Sequence, residues 1–562
     1  MEYQTNIRNI DPFMVNMDKY GAEYSMDGTY LLKVPDYVEE FSIKEGTKIV
    51  CDNAFCGSKI SSLIIPDSVI AIGYQAFCQS DITSLVLPDS VQEIGERAFL
   101  ECFGLSSVAI PKGVTIIHNE TFSNCINLES VIFHENISHI GKEAFNGCSK
   151  LCSLYLPDNL IEIQESAFMD CTSLESIKLP SHLKMIMSSC FYGCHNISSI
   201  EVSINNPNYD SRDNCNAVIE TESNTLVLGC SETVIPQTIS IIGNGAFLNC
   251  INLSSITMPY GITGIASDAF HSCYQLESID IPNSVKTIGS GAFSCCKSLR
   301  YLDIPESVEK IDDLAFAGCE SLRSIDFAMG TSCSIGHRAF EGCVSLKSVY
   351  LPGSIKEIGF MAFANCSSLQ NVLLSEGTEY IAGDFINGTT VEELSIPNSL
   401  NEIELDGSSW GFSIGAFPDS SLKKIIVSTN NLSYSSIDGI LYNKECTAIV
   451  RMPPKMEIEH YSIKDGVLFI EPFAFYGCNN LKEIHIPFSI LRIGNDAFRD
   501  TSLTEIHIGI IDVNKIEIDF GFSGIDTDNC RLFVPSGKRW EYRHHSVFEK
   551  FKNIEIETRY DL

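Results

Sequence analysis

Cysteine is the residue type in this sequence with the widest chemical reach, and there are 23 of them. Thiols at fixed spacing build disulfide frameworks, zinc sites or nucleophilic centres. Twelve keep one position, three residues after a phenylalanine: Cys102, Cys125, Cys148, Cys171, Cys194, Cys250, Cys273, Cys296, Cys319, Cys343, Cys366 and Cys478. No C-x-x-C pair occurs, so zinc-type spacing is absent. A thiol that recurs in phase with apolar residues reads as a core position filled by a small apolar side chain. Such neighbours would lie about one strand spacing apart with parallel Cβ vectors, which does not suit a disulfide. Nucleophilic thiolates need exposure and a nearby base, and a buried ladder has neither. The expectation is a reduced internal ladder, suited to a reducing compartment.

The other candidates are sparser. Of the 12 histidines, His544 and His545 are the only adjacent pair. His485 and His507 take matching positions in successive repeats, but the sequence offers no further ligand beside them. No metal and no cofactor are expected. Paired carboxylates a few ångströms apart could hydrolyse glycosides; Asp280, Asp303 and Asp326 recur at repeat spacing, but on what reads as an open surface. Phosphate-loop, dinucleotide, nucleophile-elbow and zinc-protease motifs are all missing. The expectation is a protein without catalysis.

The elements that position these residues follow from internal repetition. Ala-Phe recurs at Phe55, Phe77, Phe99, Phe145, Phe168, Phe247, Phe270, Phe293, Phe316, Phe340 and Phe363, with Phe122 and Phe191 in phase. Proline lies eleven residues before the Phe, as at Pro66, Pro88, Pro111, Pro282 and Pro305, and an Ile-Gly step lies between them, as at Ile72-Gly73 and Ile94-Gly95. The unit approximates L-x-S-I-x-I-P-x-S-V-x-x-I-G-x-x-A-F-x-x-C-x-S, in about seventeen copies of about 23 residues. L-x-S-I-x-I alternates apolar and polar, a strand with one buried face. Proline ends it, having no N–H for a ladder bond. V-x-x-I-G reads as a second short extended piece, its Gly permitting a bend. A-F-x-x-C reads as a helical turn or tight loop. One unit alone cannot offset the entropy of ordering it, whereas a stack shares strand bonds and a continuous core. The fold class is therefore a repeat solenoid.

This pattern resembles the BspA-like, treponemal-type leucine-rich-repeat proteins over about residues 40 to 535. The resemblance implies leucine-rich repeats of short strands joined by tight turns or short helical turns. It also implies protein binding, because members are known mainly as adhesins of bacterial and protozoal surfaces.

Two jumps break the phase, from Phe191 to Phe247 and from Phe417 to Phe475. Each holds two strand-like runs about a polar turn: Ala217–Glu220 with Thr225–Leu228, and Ile440–Tyr442 with Thr447–Arg451. A similar unit opens the chain. The expected organisation is an N-terminal cap with hairpin (1–45), repeats (46–202), a β-hairpin insertion (203–233), repeats (234–427), a second insertion (428–457), repeats (458–528) and a C-terminal cap (529–562). In the last segment Trp540, Tyr542, Phe548 and Phe551 space as a helix, followed by a strand. Both hairpins could protrude as contact surfaces or pack on their neighbours.

The net charge of −34 excludes a general nucleic-acid binder, which needs a basic face. No apolar run of about 18 residues exists, so no membrane-spanning helix is expected. The N-terminal stretch lacks a basic region followed by an apolar run, so a cytoplasmic protein is expected, the alternative being a cell-surface or secreted one.

Binding should use the residues flanking the buried centre of the first strand. The one before is usually serine, a constant framework. The one after varies between repeats, which is how a repeat protein builds a contact face. Two groups in that column stand out: Tyr155, Lys178 and Glu201; and Asp280, Asp303 and Asp326 with Tyr350 next. Like charges at strand spacing repel unless answered. Arg300 and Arg323 are placed to compensate locally, and a partner with a basic segment would do so from outside. The expected function is a protein-protein interaction scaffold, with an adhesin for host or bacterial proteins as the alternative.

Overall fold

The computed structural model describes residues 15–187, 189–404, 417, 420–518 and 520–558. Residues 1–14, with much of the N-terminal stretch considered for an export signal, lie outside them. The chain divides into two compact units, Met1–Leu276 and Glu277–Leu562. It is a β-solenoid of about 22 turns of ~23 residues, almost without helix. That exceeds the repeats legible from the Phe phase, because the hairpin segments and the chain end add strands to the same ladders.

The first strand of each repeat follows the alternation in the sequence. Ser176–Leu179, Tyr301–Ile304, Ser348–Leu351 and Asn371–Leu374 all read exposed, buried, exposed, buried. Their partners are parallel and in strict repeat register, so Ser176 lies beside Ser199 and Leu302 beside Ile325. The constant serine and the variable residue after the buried centre therefore form two parallel outward columns.

The second strand is only about two residues long and forms its own parallel ladder, as in Ile49–Val50, Ala71–Ile72 and Glu93–Ile94. The glycine that follows it serves close packing rather than a bend. A Cβ on Gly95 would lie 2.7 Å from the Gly73 backbone, and one on Gly73 would lie 2.7 Å from the Asp52 nitrogen. Left-handed backbone occurs elsewhere, two residues before the Phe: Gln75, Arg97, Glu120, Glu143 and Ser166 have φ between 53° and 58°.

Those residues explain the third side, which is a tight turn and not a helical one. Left-handed residues stand two before and two after the Phe, as at Gln75 and Gln79, and every second N–H through the turn points at the next repeat. Gln75, Phe77 and Gln79 donate in turn to the carbonyls of Glu96, Ala98 and Leu100, at 3.1, 2.8 and 2.8 Å. Each left-handed residue costs about 1–2 kcal/mol, and each hydrogen bond returns about 0.5–1.5 kcal/mol. The rings add to this. In the first unit Phe55, Phe77, Phe99, Phe122, Phe145, Phe168 and Phe191 stack successively with centroids 4.8 to 5.5 Å apart. In the second, Phe293, Phe316, Phe340 and Phe363 do the same.

The thiols complete the turn. Cys102 donates to the Phe77 carbonyl at 3.0 Å, Cys125 to Phe99 at 3.1 Å and Cys319 to Phe293 at 3.3 Å. Cysteine suits this position because it is small, apolar and still carries a weak donor for a buried carbonyl. None of the 23 is in a disulfide. Burial pushes the Cys148 thiol up to about 12.

Both inserted hairpins are packed rather than protruding. Ile219 and Leu226 in one, and Leu441, Tyr442 and Ile449 in the other, are fully buried. The two are built alike. Asn206 donates to the carbonyls of Pro180 and Leu183, and Asn431 to those of Pro397 and Leu400. Three residues on, the Tyr209 and Tyr434 hydroxyls accept the backbone N–H of Ile186 and Ile403 at 3.2 and 3.0 Å. Each tyrosine thus satisfies the last strand of one ladder. The far hairpin strands, Thr225–Leu228 and Ala448–Arg451, then pair in parallel with Ile241–Ile242 and Phe469–Ile470 and start the next. The chain end closes with a short helix at Arg539–Arg543 and a strand at Asn553–Ile556. Tyr542, Phe548 and Phe551 are buried there, while Trp540 points outward.

Two outcomes are expected. Gly95→Ala should destabilise the protein by about 1–3 kcal/mol, the range for overpacking, whereas Gly28→Ala, where a Cβ meets nothing, should lose only the about 1 kcal/mol of a strained left-handed residue; chemical denaturation of both variants measures this. In the native protein only Cys152, which is exposed, and the half-buried Cys56, Cys295 and Cys446 should react with iodoacetamide, and all 23 after denaturation; intact-mass analysis counts the adducts.

Candidate functional site

The outward column of the first strand holds every candidate binding residue. In the first unit Tyr155 bridges to Lys178 and Lys178 pairs with Glu201, so the three residues are adjacent. Lys178 and Glu201 form an exposed ion pair at 3.3 Å, which leaves the group with little net charge. What the sequence reading passed over lies on the other side of Tyr155. Ile64, Val86, Ala109, Ile132 and Tyr155 occupy this column in five successive repeats, and Ile64, Val86, Ile132 and Tyr155 are 65 to 80 % exposed. Ala109 and Ile132 are register partners. Each residue is unremarkable alone, so the signal appears only when the column is read down the stack.

In the second unit Asp303 and Asp326 are register partners and exposed. Asp280 follows the strand Ser278–Ile279 at the equivalent point one repeat earlier, and Tyr350 occupies it one repeat later, beside Leu373. Arg300 does not compensate this column. It pairs with Glu277 at 3.4 Å. Among the described residues no salt bridge within 4.0 Å reaches Asp280, Asp303 or Asp326.

The first unit also contains a cavity of about 320 Å³ where the inserted hairpin meets the following repeat. Cys190, Phe191, Cys194, Cys230, Leu248 and Cys250 contribute to its wall. Burial pushes the Cys190 and Cys250 thiols up to about 12, so they stay protonated and weakly nucleophilic at neutral pH.

His485 and His507 are register partners on the strands Glu483–Ile486 and Glu505–Ile508. Their rings stack at 4.2 Å, and Phe533 stacks on the far side of His507 at 4.4 Å. The sequence reading found no further ligand, yet Glu483 is two residues before His485 on the same face. Its carboxylate accepts a hydrogen bond from His485 Nε2 at 2.7 Å and lies 3.5 Å from His507 Nε2. Glu505 lies 3.6 Å from the same nitrogen, and Glu557 binds His507 Nδ1 from 50 residues away in sequence. His485 holds the Glu483 carboxyl below its ordinary range. The i, i+2 spacing of E-x-H in both strands was the available signal for the two glutamates. Nothing in the sequence marks Glu557, which the returning chain end delivers.

Comparison with known proteins agrees with this architecture. The BspA type leucine rich repeat region matches in six copies, over residues 30–152, 92–218, 227–332, 292–409 and 454–526. A leucine rich cell surface protein from Faecalibacterium prausnitzii A2-165 is 28% identical, with a TM-score of 0.51, covering 65% of this chain and 96% of its own. A leucine-rich repeat protein from Eubacterium ventriosum is 20% identical, with a TM-score of 0.42, covering 67% and 95%. No curated protein matches in sequence. With family matches spanning most of the chain, and with strand, turn and Phe ladder repeating as the unit requires, this protein belongs to the BspA-type leucine-rich-repeat family.

Proposed function

We propose that this chain is a non-catalytic protein-interaction scaffold that binds through the outward column of its first strands. The observation that carries the reading is the apolar stripe Ile64, Val86, Ala109, Ile132 and Tyr155. A contiguous exposed apolar run costs free energy in water that a partner recovers by covering it. Past Tyr155 the column turns to the charged Lys178 and Glu201, and further along to Asp303 and Asp326, so the stripe is a local feature and not a property of the fold. Tyr155 at its end, next to the Lys178–Glu201 pair, has the make-up of a contact centre with a charged rim. The uncompensated Asp280, Asp303 and Asp326 column supports a second contact in the other unit, with a Lys- or Arg-rich segment.

The compartment follows from the thiols and from the comparison, which point differently. Unpaired buried cysteines in twelve of the repeats support a reducing, cytoplasmic setting. Similarity to a protein named for the cell surface supports an exposed one. Fractionation of the native cells with detection of the chain distinguishes them.

Affinity capture from cells that make the protein tests the binding face, with Val86→Ser/Ile132→Ser/Tyr155→Ala and Asp280→Asn/Asp303→Asn/Asp326→Asn as comparators. The expected result is a stoichiometric partner whose affinity falls by about 2 kcal/mol or more, the loss typical of a contact centre, in the apolar variant. Stability of that variant should change by no more than about 0.5 kcal/mol, as for surface substitutions. The aspartate variant should lose the salt dependence of binding. A partner that binds both variants as tightly as the parent would refute the assignment.

A further inference from the structure

Among the described residues, Glu483, His485 and His507 are the side chains whose metal-ligating atoms all lie within 4.8 Å of one another. We propose that they form a binding site for a divalent transition-metal cation of the zinc class, with Glu505 at its edge and Glu557 orienting His507.

The second observation is the state of His507. Its side chain is 1 % exposed, and its Nε2 has no hydrogen-bond partner. Nδ1 is engaged by Glu557, which leaves Nε2 as the ring atom free to take a ligand. That nitrogen faces two carboxylates, Glu483 at 3.5 Å and Glu505 at 3.6 Å. Glu483 also pairs with His485 and His460, and Glu505 with Arg531, yet neither carboxylate gives the buried His507 Nε2 a hydrogen bond, and a cation at their focus would give that nitrogen its partner. A carboxylate on the outer ring nitrogen is also what holds the imidazole of a metal-bound histidine in place. Two imidazoles and a carboxylate are the donor set that zinc-class ions prefer.

The geometry fixes how the ion enters. Stacked parallel rings hold their lone pairs side by side, so one ring must tilt to share an ion. His507 is clamped between Phe533 and Glu557. His485 lies on the open side, 18 % exposed, and exchanges its hydrogen bond to Glu483 for the metal. His460, which also contacts Glu483 at 2.9 Å, is the most exposed member of the cluster and marks the way in. The bound ion would tie two consecutive repeats to the chain end through Glu557.

The full-length protein, stripped with chelator, should be titrated with Zn²⁺ by calorimetry and with Co²⁺ by visible absorption. The account expects one equivalent, Co²⁺ ligand-field bands without the thiolate charge-transfer absorption that cysteine ligation gives, and a higher melting temperature with Zn²⁺. Glu483→Gln and His485→Gln should abolish binding, and Glu557→Gln should weaken it about 10–100-fold, the usual effect of losing such an orienting partner. A Cys152→Ser variant should bind as the parent does. Should a histidine variant fail to fold, the parent alone decides: Zn²⁺ should protect His485 from diethyl pyrocarbonate while leaving the exposed His182 reactive. No saturable binding, binding that survives Glu483→Gln, binding lost with Cys152, or an unprotected His485 would each overturn the proposal.

Discussion

The constraint on which the rest of the molecule depends is the separation of about 5 Å that stacked phenylalanine rings impose between repeats. That distance matches the spacing of hydrogen-bonded strands, so one translation serves both rings and backbone. Everything at equivalent positions must then tolerate a copy of itself one strand spacing away. Cysteine meets the condition at the buried carbonyl, since its thiol donates to the turn before and leaves room for the next. Glycine meets it after the second strand, where successive backbones come too close for a Cβ. Serine meets it on the surface.

The same rule explains where function can lie. Most positions are fixed by their own copies, and only the outward residue after the buried strand centre escapes, because its neighbours are solvent and its own column. Apolar residues collected there in the first unit, or aspartates in the second, carry a cost in solution that the fold does not require. Stacked aspartates without local counter-charge destabilise the ladder by about 0.2–1 kcal/mol per pair.

Much of this was legible in the sequence because the repeat amplifies weak signals. The alternation of L-x-S-I-x-I, the proline stop and the phase of Phe and Cys place strands, core and surface columns directly. The hairpin runs at 217–228 and 440–451 also read correctly as strands. What escaped depends on contacts between repeats rather than within one. The glycine of Ile-Gly reads as a bend locally, and only the neighbouring backbone shows that it is a close approach. Arg300 sits as near to Asp303 in sequence as to any acid, but the ladder brings it to Glu277. Tyr209 and Tyr434 look like ordinary strand residues until the N–H they satisfy appears one block earlier. Glu557 reaches His507 only because the chain end folds back over the last repeats.

The central claim is that the outward strand column is the contact face. Hydroxyl-radical footprinting of the protein, alone and in complex with the partner recovered from its own cells, tests it most directly. The account predicts that oxidation of Ile64, Val86, Ile132 and Tyr155 is suppressed in the complex, while exposed residues off this column, such as Met329 and Trp540, react as before. Full reactivity of the stripe in a saturated complex, with protection elsewhere, would contradict it.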